Sequence, residues 1–327
     1  MNDGPGRLDH RDVEAAARRI DGFVLHTATL RSDTFDTWLG VSALAKAEHR
    51  QHAGAFKYRG ATNAVQALPD DLAARGVGAH SSGNHAAALA LAARTRGIPC
   101  VVVMPRTATR AKRNRVMDYG ARVVECEASE GARVATLQSV IAETGVVEIH
   151  PFDNDFVIAG AGTAVLELLA DHPAIDVVVT PVGGGGLLSG SCLAAPARVR
   201  MFGAEPSGAD DAARSLAAGH IVPQTSPDTI ADGLLTSLAP RTFAIIRERA
   251  ERIVRVTDDE TRAAMGAVRD LLGERIEPSS AVAVAAVRRA VAQGSIVRDS
   301  TVGIVLSGGN LDAESPNARP ASTHPSG

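Results

Sequence analysis

The chain has 327 residues, 45% of them hydrophobic and 22% charged, which suits a soluble globular protein of about two domains and excludes global disorder. A net charge of −3 and an aromatic content of 3% give no electrostatic or stacking basis for binding nucleic acid or an anionic membrane. Of 34 basic residues only three are lysine (Lys46, Lys57 and Lys112), so any chemistry that needs a deprotonatable amine has few side chains to use.

Residues 1–20 lack the basic-then-apolar order of a secretory signal. No apolar run approaches the roughly 18–20 residues of a membrane span. Lys46 sits in an alternating strand pattern, ALAKAE, and Lys57 opens a helical run in AGAFKYRGA. Residues 69–78 (PDDLAARGVG) read as a linker, and 150–155 (HPFDND) as a second crossing between domains. Short Val/Ile-rich runs at 100–104, 123–125, 146–149, 176–180, 199–204, 253–256 and 301–306 read as buried strands. Helical stretches alternate with them near 84–96, 109–119, 129–143, 156–171, 187–197, 208–218, 258–273 and 279–292. Gly97 and Gly120 follow such stretches, as helix C-caps do. This alternation predicts an α/β protein with mainly parallel sheets. The Pro/Ser-rich tail 313–327 is expected to be disordered. Cys100, Cys126 and Cys192 form no metal-type spacing and are expected to be reduced thiols of a cytoplasmic protein.

Five segments carry candidate chemistry. Gly183–Gly186 joins a hydrophobic strand to a helical run, where glycine lets backbone N–H groups approach an anion and the helix N-terminus adds its dipole. Neither the dinucleotide fingerprint nor the P-loop pattern fits, so a single phosphate is the expected ligand. A tight turn without a ligand is the plainer alternative. Lys57 lies between Phe56 and Tyr58 in a weakly charged setting. Partial burial would lower its pKa and make the amine nucleophilic, whereas a snorkelling lysine at a helix start is the plain alternative. Ser81-Ser82-Gly83-Asn84-His85 reads either as a helix N-cap or as a carboxylate cradle. Ser307, in SGGN, follows the last strand and reads either as a residue pointing toward the usual ligand crevice of α/β sheets or as part of an ordinary Gly-rich turn. Glu205, Asp210 and Asp211 follow another strand and suit either a hard cation or acidic capping of helix 208–218.

Taken in this order, GAFKYRGA, SSGNH, strand-borne GGGGL and SGGN resemble the pyridoxal-phosphate (PLP) enzymes of fold type II, in the serine/threonine dehydratase and serine racemase family. The resemblance runs from about residue 20 to 310 and includes YGARVV (119–124), IHPFDNDFVIAGAGT (149–163), IADGL (230–234) and IEPSS (276–280). It implies a tryptophan synthase β-subunit-like fold with two open, twisted, mainly parallel-sheet domains. A large PLP-binding domain would comprise 1–75 and 153–312, and a small mobile domain 76–152. The family also implies a homodimer and a small amino-acid substrate. Lys57 looks like the Schiff-base lysine, with Phe56 beside the cofactor ring and Asn84 on its phenolic oxygen. Gly183, Gly184, Gly185, Gly186 and Leu187 match the phosphate loop, and Ser307 the partner of the pyridine nitrogen. Ser81, Ser82, Asn84 and His85 would receive the substrate α-carboxylate, and Ser82 is also the position of the racemases' second proton carrier. Glu205, Asp211 and the Ala209 carbonyl match a Mg2+ (or Ca2+ or Mn2+) site.

The implied reaction is removal of the β-hydroxyl of a serine- or threonine-type amino acid, giving a 2-oxo acid and ammonia. The alternatives are racemisation of serine or aspartate and a PLP-binding protein without turnover. Two departures from the family pattern stand out: Ala87 and Ala161 replace glutamines, and the first speaks against nucleotide activation. Arg133 matches an arginine near the distal end of the substrate, where a guanidinium suits the second carboxylate of 3-hydroxyaspartate; a solvent-facing helix arginine is the plainer alternative.

Overall fold

The computed structural model describes residues 8–311; the expected tail 313–327 lies outside the described residues. The chain begins with α1 (His10–Ile20), β1 (Thr29–Leu30), α2 (Asp33–Leu39), β2 (Ser42–Lys46), α3 (Lys57–Ala67) and the single turn α4 (Asp70–Ala73). There follow β3 (Val77–His80), α5 (Asn84–Arg96), β4 (Cys100–Pro105), α6 (Arg110–Asp118), β5 (Arg122–Cys126), α7 (Glu130–Thr144) and β6 (Val147–Glu148). The remainder is α8 (Asp155–Asp171), β7 (Val177–Pro181), α9 (Gly186–Ala194), β8 (Arg200–Pro206), α10 (Asp211–Ala218), α11 (Pro240–Arg249), β9 (Ala250–Val256), α12 (Asp258–Leu272), α13 (Pro278–Ala292) and β10 (Thr301–Val305).

These strands form two sheets. One has the order β1-β2-β10-β7-β8-β9 and is parallel except for the β1–β2 pair. The other, β5-β4-β3-β6, is wholly parallel. The fold is therefore α/β with two mainly parallel sheets, as the alternation predicts. β4 and β7 are buried along their whole length, which explains why their sequences, CVVVMP and VVVTP, are apolar without alternating. The stretch 69–78 is more than a linker, because it contains α4 and the start of β3. α10 starts at Asp211, later than the expected 208, because 207–210 form a turn in which the Gly208 carbonyl accepts a hydrogen bond from Asp228 N at 2.9 Å.

Helix α8 joins the parts that form the site. Against α3, a Cβ on Gly160 would lie 2.7 Å from the Arg59 carbonyl oxygen, and a Cβ on Gly60 would lie 2.7 Å from that of Val157. Against α9, a Cβ on Gly162 would overlap the Gly190 backbone. The glycines of IAGAGT thus let three helix backbones approach more closely than side chains allow. Beside them lies a buried ionic network. Arg59 holds Glu48 at 2.7 Å and Glu167 at 2.6 Å, and Lys46 holds Glu167 at 2.7 Å. Two cations face two carboxylates there, so the burial is charge-balanced.

Candidate active site

Three neighbouring strands, β2, β10 and β7, deliver their carboxyl ends to one crevice, where α/β sheets place ligands. The loop after β2 leads to Lys57, β10 leads to Ser307, and β7 leads to Gly183. Loop and strand are tied directly: Phe56 N donates to Ser307 O at 2.9 Å, and Ala55 bridges Gly308.

Lys57 differs from the other two lysines. Lys46 is fully buried and ion-paired, and Lys112 pairs with Asp232 at 3.0 Å. The Lys57 amine donates to the Pro151 carbonyl at 2.8 Å and lies 5.1 Å from the Phe56 ring centre, with no carboxylate partner among the described residues. Burial lowers its pKa from 10.5 to about 8.

The tetraglycine loop is built for close approach. A Cβ on Gly184 or Gly186 would meet Phe152, and Gly185 has φ +88° and a Cβ there would lie 2.8–2.9 Å from Leu238, Thr242 and Ile246. Gly185 is the N-cap of α9 and no side chain caps that helix. Among the described residues, the N–H groups of Gly183, Gly184 and Gly185 make no hydrogen bond, and those of Gly186 and Leu187 are in the first turn, where helix N–H groups lack internal partners.

The same holds for SSGNH. The N-cap of α5 is Gly83, without a side-chain cap, so simple capping does not account for the serines. Ser81 Oγ accepts from Gly83 N at 3.3 Å, and Ser82 lies in the same loop just ahead of the helix. His85 is buried, and its ring Nε2 donates to the Ile149 carbonyl at 2.8 Å. Burial, followed by the Lys57 charge, lowers its pKa to about 3, so the ring is neutral and its Nδ1 is an acceptor. The hydrogen-bond donor that His85 still offers is therefore its backbone N–H and not the ring. Asn84 Nδ2 donates to Glu277 Oε1 at 2.8 Å, and Asn84 Oδ1 accepts from Asn310 Nδ2 at 2.8 Å.

Arg133 lies in the first turn of α7, and its Nε is buried without a hydrogen-bond partner. No carboxylate pairs with it among the described residues, and its charge lowers the pKa of His80 after burial does. His80 meets His150 edge-to-face at 6.2 Å, and His150 meets Phe152 at 4.7 Å. Burial brings His150 down to about 4, and its Nδ1 accepts from Asp153 N at 2.8 Å. Sequence reasoning missed His80, His150 and Glu277. His80 immediately precedes SSGNH, His150 stands inside the IHPFDND text, and Glu277 is the second residue of the IEPSS stretch.

Glu205 takes hydrogen bonds from Ala212 N at 2.8 Å and Ala213 N at 3.0 Å, and Asp211 takes one from Leu238 N at 3.2 Å. Burial raises Glu205 to about 8 and Asp211 to about 6. Asp210 is engaged elsewhere, with Arg214 at 2.8 Å and Arg255 at 2.9 Å. No group of three or more His, Cys, Asp or Glu side chains arranged to hold a metal ion occurs among the described residues. The two buried carboxylates and the buried Ala209 carbonyl are hard oxygen donors, as Mg2+ or Ca2+ prefers.

Residues 20–308 match the family model of the pyridoxal-phosphate dependent enzymes. The chain belongs to that family. It is 42% identical over 311 residues to the serine racemase of Dictyostelium discoideum, spanning 93% of this chain and 95% of that one. It is 43% identical over 309 residues to the beta-hydroxyaspartate dehydratase of Paracoccus denitrificans, with 93% and 97% covered. The structure of maize serine racemase superposes with a TM-score of 0.90 at 41% identity, covering 94% of this chain and 95% of that one. The crevice chemistry fits PLP: a desolvated amine for the aldehyde, two uncapped helix N-termini with free N–H groups for anions, and the Ser307 hydroxyl at the end of β10.

Proposed function

We propose that this PLP enzyme is an ammonia-lyase that converts a β-hydroxy amino acid into a 2-oxo acid and ammonia. The observation that carries the reading is Lys57, the lysine held desolvated at the crevice by a neutral carbonyl. PLP supplies an electron sink for the bond electrons of the substrate Cα. Gly183, Gly184, Gly185, Gly186 and Leu187 would bind its phosphate, Phe56 would flank its ring, Asn84 would address its phenolic oxygen and Ser307 its ring nitrogen. Ser81, Ser82, Asn84 and the His85 N–H would orient the substrate α-carboxylate. The neutral Lys57 amine would take the Cα proton, and the β-hydroxyl would leave as water after gaining a proton. The resulting enamine rearranges to an imine, and its hydrolysis yields the 2-oxo acid and ammonia.

Arg133 narrows the substrate class. A guanidinium nitrogen buried without a partner favours a second carboxylate on the β-carbon, as in 3-hydroxyaspartate. The similarity to the Paracoccus dehydratase supports this choice. Racemisation is the second reading, favoured by the similarity to serine racemases, and Ser82, in the loop ahead of α5, would be its second proton carrier. Incubating the holoenzyme with L- and D-serine, threonine and 3-hydroxyaspartate separates these readings. Equal amounts of 2-oxo acid and ammonia support the lyase. Formation of the opposite enantiomer without oxo acid supports the racemase, and neither product from any substrate refutes both.

Four further proposals follow from the same reading. Segment 76–152 acts as a small domain that closes over substrate, which small-angle scattering with and without a substrate analogue would register. Glu205, Asp211 and the Ala209 carbonyl hold Mg2+, so a chelator would lower the melting temperature and added Mg2+ would restore it. The enzyme assembles as a homodimer, measurable by light scattering. It works in the cytoplasm, consistent with three buried free cysteines and with no described helix long and apolar enough to cross a membrane.

A further inference from the structure

Glu277 and Asn310 hold Asn84 from two sides. Glu277 is 6% exposed at the start of α13, and its Oε1 takes the Asn84 amide hydrogen at 2.8 Å. Its Oε2 takes Asn310 N at 3.2 Å, and its own N donates to Gly308 O at 3.1 Å. Asn310 Nδ2 donates both to Asn84 Oδ1 and to the carbonyl of Ala53, each at 2.8 Å. Ala53 has φ +57° and lies in the loop that leads to Lys57. One closed set of hydrogen bonds therefore connects the start of α5, the lysine loop and the segment after Ser307.

We propose that Glu277 and Asn310 are positioning residues that lock the Asn84 amide with its nitrogen, and not its oxygen, presented to the phenolic oxygen of PLP. The argument is one of donors and acceptors. An ionised carboxylate only accepts, and the Asn310 amide nitrogen only donates. Together they fix which end of Asn84 faces which neighbour. Asn84 has two N–H donors, and Glu277 uses one, so one remains for the cofactor. An N–H donor there favours the deprotonated phenolic oxygen, and a flipped amide would favour the protonated one. Burial raises Glu277 to about 7, with Asp232 adding to the rise and Lys112 opposing it, so the lock is fully charged in mildly alkaline solution.

Glutamine at 277 breaks the lock in either orientation. With its oxygen toward Asn84, its NH2 faces the Asn310 N–H. Turned over, its NH2 faces the Asn84 NH2. The inference rests on the assignment of Asn84 to the phenolic oxygen, and the test separates the two. Wild type, Glu277→Gln, Glu277→Asp, Asn310→Ala and Asn84→Ala are compared as holoenzymes in mildly alkaline buffer. The readout is the ratio of visible to near-ultraviolet absorbance of the bound cofactor, with PLP content and melting temperature recorded for each.

Glu277→Gln and Asn310→Ala are expected to lower that ratio about two- to tenfold, the scale of one net hydrogen bond, while keeping PLP bound. Glu277→Asp, which keeps the charge, should remain closer to wild type. If Glu277→Gln does not fold, Asn310→Ala carries the test alone. An unchanged ratio in folded, PLP-loaded Glu277→Gln or Asn310→Ala, beside a changed ratio in Asn84→Ala, overturns the lock but keeps the Asn84 assignment. An unchanged ratio in Asn84→Ala overturns that assignment, and the lock with it.

Discussion

Replacing Gly160 by alanine should separate the two halves of the site. Gly160 lies in α8 where that helix crosses α3, three residues beyond Lys57 along α3. The new Cβ would sit 2.7 Å from the Arg59 carbonyl oxygen and 2.8 Å from both Gly60 Cα and Asn63 Cβ. Ordinary contact begins at 3.4 Å, so α3 must withdraw by about 0.7 Å. All three neighbours lie on or next to the backbone, so no flexible side chain can swing away. Overpacking of this kind costs about 1–3 kcal/mol. Alanine gains only about 0.5–1 kcal/mol over glycine inside a helix. The net effect is destabilisation, visible as a fall of a few degrees in melting temperature. The functional loss is larger, because Lys57 moves with α3 while the tetraglycine loop stays with α9. A misplacement approaching 1 Å can cost about 100-fold in rate, so turnover should fall at least about tenfold. Gly266→Ala in α12 is the matched control: a Cβ there meets nothing within 4 Å, so that variant should gain about 0.5–1 kcal/mol and keep full activity. Thermal melting, PLP titration and turnover are measured for both variants. A Gly160→Ala enzyme that is as stable and as active as Gly266→Ala would refute the role given to α8.

Two other predictions concern the buried charges. Glu48→Gln leaves Arg59 and Lys46 to share Glu167, and breaking a buried pair by removing one partner costs about 3–5 kcal/mol; chemical denaturation showing less than about 1 kcal/mol would contradict the network's balance. In PLP-free protein, Lys57 should react with a neutral aldehyde with an apparent pKa of about 8, and a midpoint near 10.5 would mean that its burial does not desolvate the amine. The same shift means that the folded state binds fewer protons than the unfolded chain between those two values, so this group makes stability rise as pH climbs from about 8 to 10.5.

Much of the fold was legible because buried parallel strands announce themselves as continuous Val/Ile runs, and β4, β7 and β10 all do so. The N-terminal helices α1 and α2 were less visible. α1 is rich in charge and Ala, with three buried residues, and α2 is only seven residues long. The site motifs were legible where glycine is required by geometry, as at Gly184 and Gly185, and where a lysine stands apart from carboxylates, as at Lys57. What sequence could not show was partnership across long separations. Asn84 and Glu277 are 193 residues apart and Lys57 and Pro151 94, and no local pattern encodes either contact.

The central claim is that Lys57 carries the cofactor, and the scarcity of lysine makes it directly measurable. Treating the holoenzyme with borohydride fixes any Schiff base, and peptide mass spectrometry then locates the pyridoxyl group among Lys46, Lys57 and Lys112. The account predicts one label per chain, on the peptide containing Lys57, and its loss in Lys57→Ala. A label on Lys46 or Lys112, or no label on a protein that has bound PLP, would contradict it.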